Sequence, residues 1–177
     1  MKLLRIALFI STVICLACCS CAEKKKKKAV YNAIEKYDDD IYARSGEEIK
    51  VPYTEIGGVK YVNIRVNGIQ FEMIFDTGCS DALISIAEFN YLKSKGLISK
   101  NDILGKDKYQ IADGSTVENT IVNLSEVVID DQILCTNIRA GVSENANASL
   151  LLGNAVLDQF ATVTVDTENR TLNFKIR

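Results

Sequence analysis

The residues best suited to chemistry stand in one short stretch, MIFDTGCS, at positions 73–80. Three apolar residues lead directly into Asp76, and Thr77 and Gly78 follow it at once. An ionised carboxylate at the end of an apolar strand is costly unless it is hydrogen-bonded, paired or used in a reaction. Asp76 is therefore either a cap for neighbouring backbone amides or a functional acid.

The chain contains no histidine. This excludes Ser-His-Asp and Cys-His nucleophilic catalysis and every histidine metal site. Carboxylate chemistry, a Ser-Lys or lone-Cys mechanism, or no catalysis remain. Outside the N-terminal stretch there are two cysteines, Cys79 and Cys135, which are too few for a closed four-ligand zinc site, and we expect no metal or cofactor. We favour two free thiols over one disulfide, because neither cysteine sits in a recognisable framework.

Alternating apolar and polar residues predict the strands that must position Asp76. Residues 62–66 alternate, Asn67-Gly68 favours a hairpin turn, and residues 69–75 form the return strand. Asp76 therefore ends a strand that large apolar side chains anchor, and a surface turn would not need that anchoring.

Further along the chain, the pattern predicts more short strands and two small helices. Ser85 and Glu88 form a capping box for a helix that buries Phe89 and Leu92 and ends near Gly96. A loose segment rich in Lys and Asp is expected at residues 97–108, and separate strands are predicted at residues 117–122, 124–129 and 133–142. The other predicted features are a hairpin turn at residues 113–114, a turn at residues 130–131, a helical piece at residues 155–160 and two closing strands. The predicted fold class is all-β and barrel-like, with one or two short helices.

Residues 1–21 are interpreted as a processing segment. A basic start precedes an apolar stretch that is too short to be a comfortable membrane span. Its end resembles a bacterial lipobox, in which a cysteine is lipidated and becomes the mature N-terminus, and Cys18, Cys19 and Cys21 are the candidates. A plain cleaved signal is the alternative. We expect an exported protein of the cell envelope, lipid-anchored to a membrane on the periplasmic or surface side.

Five consecutive lysines, residues 24–28, predict a flexible stalk that could also touch anionic lipid headgroups. Residues 22–57 are interpreted as this stalk and a spacer, and residues 58–177 as the folded domain. From Ala29 onward, 14 basic side chains stand against 22 acidic ones, a net charge of −8. Such a domain repels a phosphate backbone, so we expect no nucleic-acid partner.

Three motifs in order resemble the retropepsin-like aspartic proteases. They are an apolar strand into Asp-Thr-Gly-x-Ser, a central Asp-Gly hairpin and a late Leu-Leu-Gly before a helix. Each is weak alone, and their order in a chain without histidine carries the resemblance. The chain looks most like the bacterial single-domain, secreted or membrane-anchored members, from about residue 59 to the C-terminus. The resemblance implies a closed β-barrel with one lobe per chain.

The resemblance also implies a role for each motif residue. Asp76 would be the catalytic acid. Three residues would complete the active-site loop. Thr77 would lock the loops of the two subunits together, and Gly78 would allow a close approach of the backbone. Ser80 would hold the Asp76 carboxylate. The flap that closes over substrate would consist of Ile111, Ala112, Asp113, Gly114 and Ser115. Structural residues packed behind the loop would be Leu151, Leu152 and Gly153.

Peptide hydrolysis without a nucleophilic side chain needs a water activated by a base and a leaving nitrogen protonated by an acid. Two facing carboxylates that share one proton do both. Asp76 supplies one of them, and the 120 residues from Gly58 onward are about half of a two-lobed enzyme. The resemblance therefore implies a homodimer with Asp76 of each subunit on the two-fold axis. It would act as an aspartic endopeptidase on peptide or protein substrates.

Two other functions remain open at this point. The same fold could serve as a membrane-anchored peptide-binding module with little or no proteolytic activity. A purely structural envelope lipoprotein would leave the Asp-Thr-Gly motif unexplained. Asp81 and Asp113 are interpreted as surface and turn residues, although Asp81 follows the motif at a place that could shape a substrate subsite. Cys79 is interpreted as a small buried residue whose oxidation could impair activity.

Overall fold

The computed structural model describes residues 46–111 and 113–177. The predicted processing segment with Cys18, Cys19 and Cys21, the lysine stalk, and Ala112 of the flap lie outside these residues. In the part of the chain that is described, no helix has the length and apolar character needed to cross a membrane.

Short strands dominate the described residues. The strands are β1 (Glu48–Pro52), β2 (Thr54–Ile56), β3 (Val59–Val66), β4 (Ile69–Phe75), β5 (Ala82–Ser85), β6 (Ile103–Gln110), β7 (Thr116–Ile129), β8 (Ile133–Ser143), β9 (Leu151–Leu152), β10 (Thr162–Asp166) and β11 (Thr171–Lys175). The helices are α1 (Ile86–Ser94), a 3₁₀ turn (Lys100–Asp102) and α2 (Asn154–Leu157).

The strands form two sheets. The larger has the order β2-β3-β4-β9-β5-β8-β7-β6, and β3 also pairs with β7. This second pairing, of residues 64–66 with residues 127–129, brings the sheet back on itself. The smaller sheet has the order β1-β11-β10. Apolar side chains from the strands fill the interior, among them Val62, Ile64, Ile84, Leu124, Ile138 and Leu152. The predicted all-β, barrel-like fold is confirmed.

The folded part begins before residue 58. Ile49 and Val51 of β1 are buried, and β1 pairs with β11 along its whole length. Residues 48–56, which the sequence prediction assigned to the spacer, therefore belong to the domain, and the predicted boundary is about ten residues too late. β1 carries only two buried positions in five, so its pattern is too short to identify without its partner at the other end of the chain.

Several local predictions are confirmed. Asn67 and Gly68 turn the β3–β4 hairpin with positive φ angles of 46° and 87°, as this pair favours. Ser85 caps α1 by accepting a hydrogen bond from the Ala87 amide at 3.0 Å, and its hydroxyl bonds the Glu88 carboxylate. Gly96, at φ +70°, follows the end of the helix.

The strands around residues 97–129 differ from the prediction. Residues 103–108, expected to be loose, form β6 together with residues 109–110 and pair with β7. Residues 116–129 form one strand instead of two. The polar run in β6 has no alternation from which a strand could be predicted, so its conformation depends on the partner strand.

Candidate active site

Asp76 directly follows the last residue of β4, and the strand β9, from later in the chain, fixes the position of its backbone. β9 runs parallel to β4 and pairs Leu152 with Phe75. It also pairs antiparallel with β5, so it lies between the strands that enter and leave the loop. The Asp76 amide donates to the Leu152 carbonyl at 3.2 Å. Asp76 is thus held at its backbone by Leu152, one of the residues predicted to lie behind the site.

The loop of residues 76–81, called here the motif loop, orients the Asp76 carboxylate. The Gly78 amide donates to Asp76 Oδ1 at 2.8 Å. A Cβ on Gly78 would lie 3.1 Å from the same oxygen, which is tighter than an ordinary contact. A glycine therefore lets the backbone reach the carboxylate closely. Asp76 is half-buried in the single chain, whereas Thr77 and Gly78 are exposed.

Ser80 does not hold Asp76 in the way the resemblance implied. Its side chain is exposed, and within the described residues its hydrogen bond is made by its backbone carbonyl, which accepts from the Ala155 amide at 3.0 Å. The Gly78 amide contacts the carboxylate instead. The sequence indicated that Asp76 could accept bonds from neighbouring backbone amides, but it did not identify Gly78 as the donor.

The start of α2 supports the motif loop from behind. The Asn154 amide donates to the Cys79 carbonyl at 2.9 Å, and its side chain donates to the Thr77 carbonyl at 3.2 Å. Gly153 lies against the loop backbone and leaves no room for a Cβ. Gly153 therefore lies behind the loop with Leu152, and Asn154 adds a contact that was not predicted. Leu151, predicted to lie behind the loop as well, contributes to the lining of the cleft instead.

A cleft of about 840 Å³ opens in front of Asp76. Its lining combines the motif loop, both strands of the flap hairpin and the end of β8. The apolar lining residues include Leu83, Ile111, Val117 and Leu151, and the acidic ones besides Asp76 are Asp81, Glu118 and Glu144. Among the described residues, no lysine or arginine lines this cleft. Its size lies within the range of small-molecule and peptide side-chain pockets.

The flap is a tight turn at the end of the β6–β7 hairpin. The Ile111 amide donates to the Ser115 carbonyl, and the Gly114 amide donates to the Ile111 carbonyl, both at 2.9 Å. Asp113 Oδ1 accepts from the Ser115 amide at 2.8 Å, and hydrogen bonds from Ser115 lower the pKa of Asp113. Ile111 of the turn lines the cleft that contains Asp76.

A family model described as gag-polyprotein putative aspartyl protease matches residues 62–159, more than half of the chain. This chain belongs to that family. The match includes the motif loop, the flap and the Leu-Leu-Gly segment. The resemblance to the retropepsin-like aspartic proteases, predicted from the sequence, is confirmed.

Among solved structures, a retropepsin-like aspartic protease from Rickettsia conorii is similar to this chain, with a TM-score of 0.51 and 21% sequence identity. The similarity covers 73% of this chain and 90% of that chain, and it shows the shared fold. A search of curated proteins found no match.

Asp81 of this aspartyl-protease domain is not the surface residue that the sequence suggested. Its side chain is 13% exposed, and its carboxylate accepts hydrogen bonds from Arg139 Nε at 2.8 Å and from the Tyr109 hydroxyl. Arg139 Nη2 also binds the Asp107 carboxylate at 2.5 Å. Sequence reasoning missed Tyr109 and Arg139, because no local signal connects residues 28 and 58 positions away from Asp81.

Both thiols of the protease domain are free. Cys79 is half-buried in the lining of the cleft. Burial raises the pKa of its thiol, and the charges of Asp76 and Asp81 raise it further. Cys135 is buried in the core, and burial raises its pKa to about 12. Within the described residues, no group of three His, Cys, Asp or Glu side chains could hold a metal ion.

Proposed function

We propose that this protein is an aspartic endopeptidase that works as a homodimer. The observation that carries the proposal is the position of Asp76. Its carboxylate accepts a hydrogen bond from the Gly78 amide, and it lies in a cleft that runs beneath the flap. In a chain of the aspartyl-protease family, that arrangement suits activation of a water molecule beside a bound peptide.

The second carboxylate of the catalytic pair has to come from another chain. Asp81 is the other acid of the motif loop, and its carboxylate already binds Arg139 and Tyr109. The Asp81 carboxylate is therefore engaged by side chains of other strands and is not available to face Asp76 as its partner. A second copy of the chain brings a second Asp76.

An exposed apolar surface beside Asp76 fits this second copy. A pocket of about 450 Å³ is lined by Asp76, Phe75, Val59 and Val165 among other residues. Val59 and Val165 are 36% and 41% exposed, and Ile56 nearby in the β2–β3 hairpin is 60% exposed. Large apolar side chains gathered at an exposed site are typical of an interaction surface. The exposed Thr77 and Gly78 would meet their counterparts at the same interface.

In the proposed reaction, the two Asp76 carboxylates share one proton, because like charges so close together cannot both ionise. The ionised carboxylate takes a proton from water as the water oxygen bonds to the peptide carbonyl carbon. The protonated carboxyl donates its proton to the carbonyl oxygen, which gives a neutral tetrahedral diol. The carboxyl that took the proton from water then protonates the amide nitrogen. A diol hydroxyl gives its proton to the other Asp76 carboxylate, and the C–N bond breaks.

We also propose that the domain is anchored at the cell envelope through its N-terminal segment. The support is the lipobox-like sequence that ends in Cys18, Cys19 and Cys21. Mass spectrometry of the mature protein from membranes would identify the N-terminal residue and any attached acyl chains. An unmodified N-terminus at or beyond residue 22 would contradict the lipid anchor and leave the protease proposal intact.

The deciding experiment compares cleavage of a peptide library by wild type, Asp76→Asn and a control, Asp158→Asn, which changes an exposed carboxylate. Products are read by mass spectrometry from acidic to neutral pH at one protein concentration. We expect cuts from wild type and the control, and loss of them in Asp76→Asn. If the dimeric wild type makes no cuts but binds peptides, the protein is a binding module instead.

A further inference from the structure

Little apolar packing holds the strand that carries the flap. β6 is an edge strand that pairs only with β7 among the described strands. Residues 104–108 and 110 are exposed, and Leu104 is 56% exposed. Only Ile103 and Tyr109 are even half-buried. Backbone pairing with β7 holds this strand in the sheet, but hydrophobic burial adds little to hold it against the rest of the barrel.

A group of polar side chains supplies that attachment. Asp107 and Tyr109 lie two positions apart on β6, so their side chains project from the same face. Tyr109 donates its hydroxyl proton to Asp81, and Arg139 binds Asp81 and Asp107 through two different nitrogens, at 2.8 and 2.5 Å. Arg139 Nη2 is also 3.4 Å from the Tyr109 hydroxyl.

The two ends of this group differ in burial and in their place in the sheet. Asp81 directly precedes β5, whose Ala82 pairs with Ala140 of β8, so Asp81 and Arg139 stand on neighbouring strands of the barrel. Asp107 and Tyr109 stand on the exposed strand that leads to the flap. One planar guanidinium therefore joins a buried carboxylate of the motif loop to an exposed carboxylate of the flap strand, a geometry that suits arginine and not lysine.

We propose that Asp81, Arg139 and Tyr109 fasten the flap strand β6 to the motif loop and thereby set the position of the flap over Asp76. They are positioning residues, and their effect on catalysis rests on the proposed endopeptidase function. The flap turn begins two residues after Tyr109, so the fastening limits opening movements to the turn itself. Substrate then meets a flap whose base is already in place, which reduces the ordering cost of binding.

The first test measures hydrogen–deuterium exchange, which needs no enzymatic activity. Tyr109→Phe removes the hydroxyl and keeps the ring, and Tyr91→Phe makes the same change on the exposed side of α1. We expect exchange in β6 and the flap to accelerate roughly tenfold in Tyr109→Phe, the size of one lost hydrogen bond to a charged group. Exchange in β8 should not change. Unchanged exchange in β6 and the flap would overturn the proposal.

The second test uses Arg139→Lys, which keeps the charge but cannot bridge two carboxylates with one planar fork. In full-length protein, both this variant and Tyr109→Phe should raise KM several-fold for a cleaved peptide and leave kcat within about twofold, because Asp76 is untouched. A several-fold loss of kcat with an unchanged KM would contradict the positioning role. Should wild type cleave nothing, the endopeptidase proposal fails, and the exchange experiment alone decides this one.

Discussion

The carbonyl oxygen of Asp81 lies only 1.9 Å from the point that a Cβ on Gly153 would occupy. The Cys79 carbonyl would be 2.6 Å from the same point. Both obstacles are backbone atoms of the motif loop, which cannot rotate away as a side chain can. The loop that carries Asp76 therefore depends on glycine at position 153.

Gly153→Ala should destabilise the domain by roughly 3 kcal/mol or more, at the upper end of overpacking effects, because the motif loop or β9 must move. Urea denaturation measures the change. Gly141→Ala is the matched control, since its Cβ would meet side-chain atoms of Asn119 and Leu83 at 3.4 Å. If the two variants are equally stable, the close approach of the backbones is not a constraint.

Mixing subunits tests whether two copies of Asp76 share one active site. Wild type is mixed with an equal amount of Asp76→Asn and allowed to exchange subunits. If the two subunits share one site, only dimers of two wild-type subunits cleave peptide. The mixture should then have about a quarter of the activity of pure wild type at the same total protein concentration. Independent subunits would leave half. Asp158→Asn in place of Asp76→Asn should leave the activity unchanged.

Val59→Asp should convert the protein to a monomer and abolish cleavage. The substitution places a charge in the apolar surface beside Asp76, where a partner would have to desolvate it. Sedimentation velocity and peptide cleavage are measured on the same sample. Tyr91→Asp, at an exposed residue of α1 outside this surface, shows whether a new charge elsewhere has the same effect. A Val59→Asp protein that stays dimeric would place the interface elsewhere.

The two thiols should differ in their reaction with iodoacetamide. Both have raised pKa values, so little thiolate is present at pH 8. We expect Cys79 to react more slowly than a free thiol and faster at higher pH, and Cys135 to react only after unfolding. Peptide mapping follows each site, and urea-unfolded protein is the reference. Rapid native labelling of Cys135 would contradict its burial.

Acid should loosen the flap turn through Asp113. Hydrogen bonds from Ser115 lower the pKa of this carboxyl below 3.8, so the contact is complete above that value and is lost as pH falls through the folded pKa. The amide NMR shift of Ser115 should therefore titrate with a midpoint below 3.8. In Asp113→Asn the side chain still accepts the bond without titrating, so the shift should stay flat. A midpoint above 3.8 would contradict the assignment.

Local signals predicted the parts of the site that neighbouring residues determine. The apolar strand before Asp76, the Asn67-Gly68 turn and the abrupt stop at Gly153 each follow from a few adjacent residues. The Asp81 carboxylate could not be placed in this way. Its burial depends on how the sheet curls and which strands come together, and strand register is poorly fixed by sequence alone.

The segments that support the motif loop, β9 and the start of α2, are made late in synthesis. The motif loop is completed by contacts such as that between Thr77 and Asn154, which are 77 positions apart. During synthesis the ribosome has passed Asp76 long before the segment that supports it emerges. The nascent chain cannot form the site early, because contacts between distant residues come late in folding. A growing chain therefore has no assembled motif loop until almost the whole domain has been made.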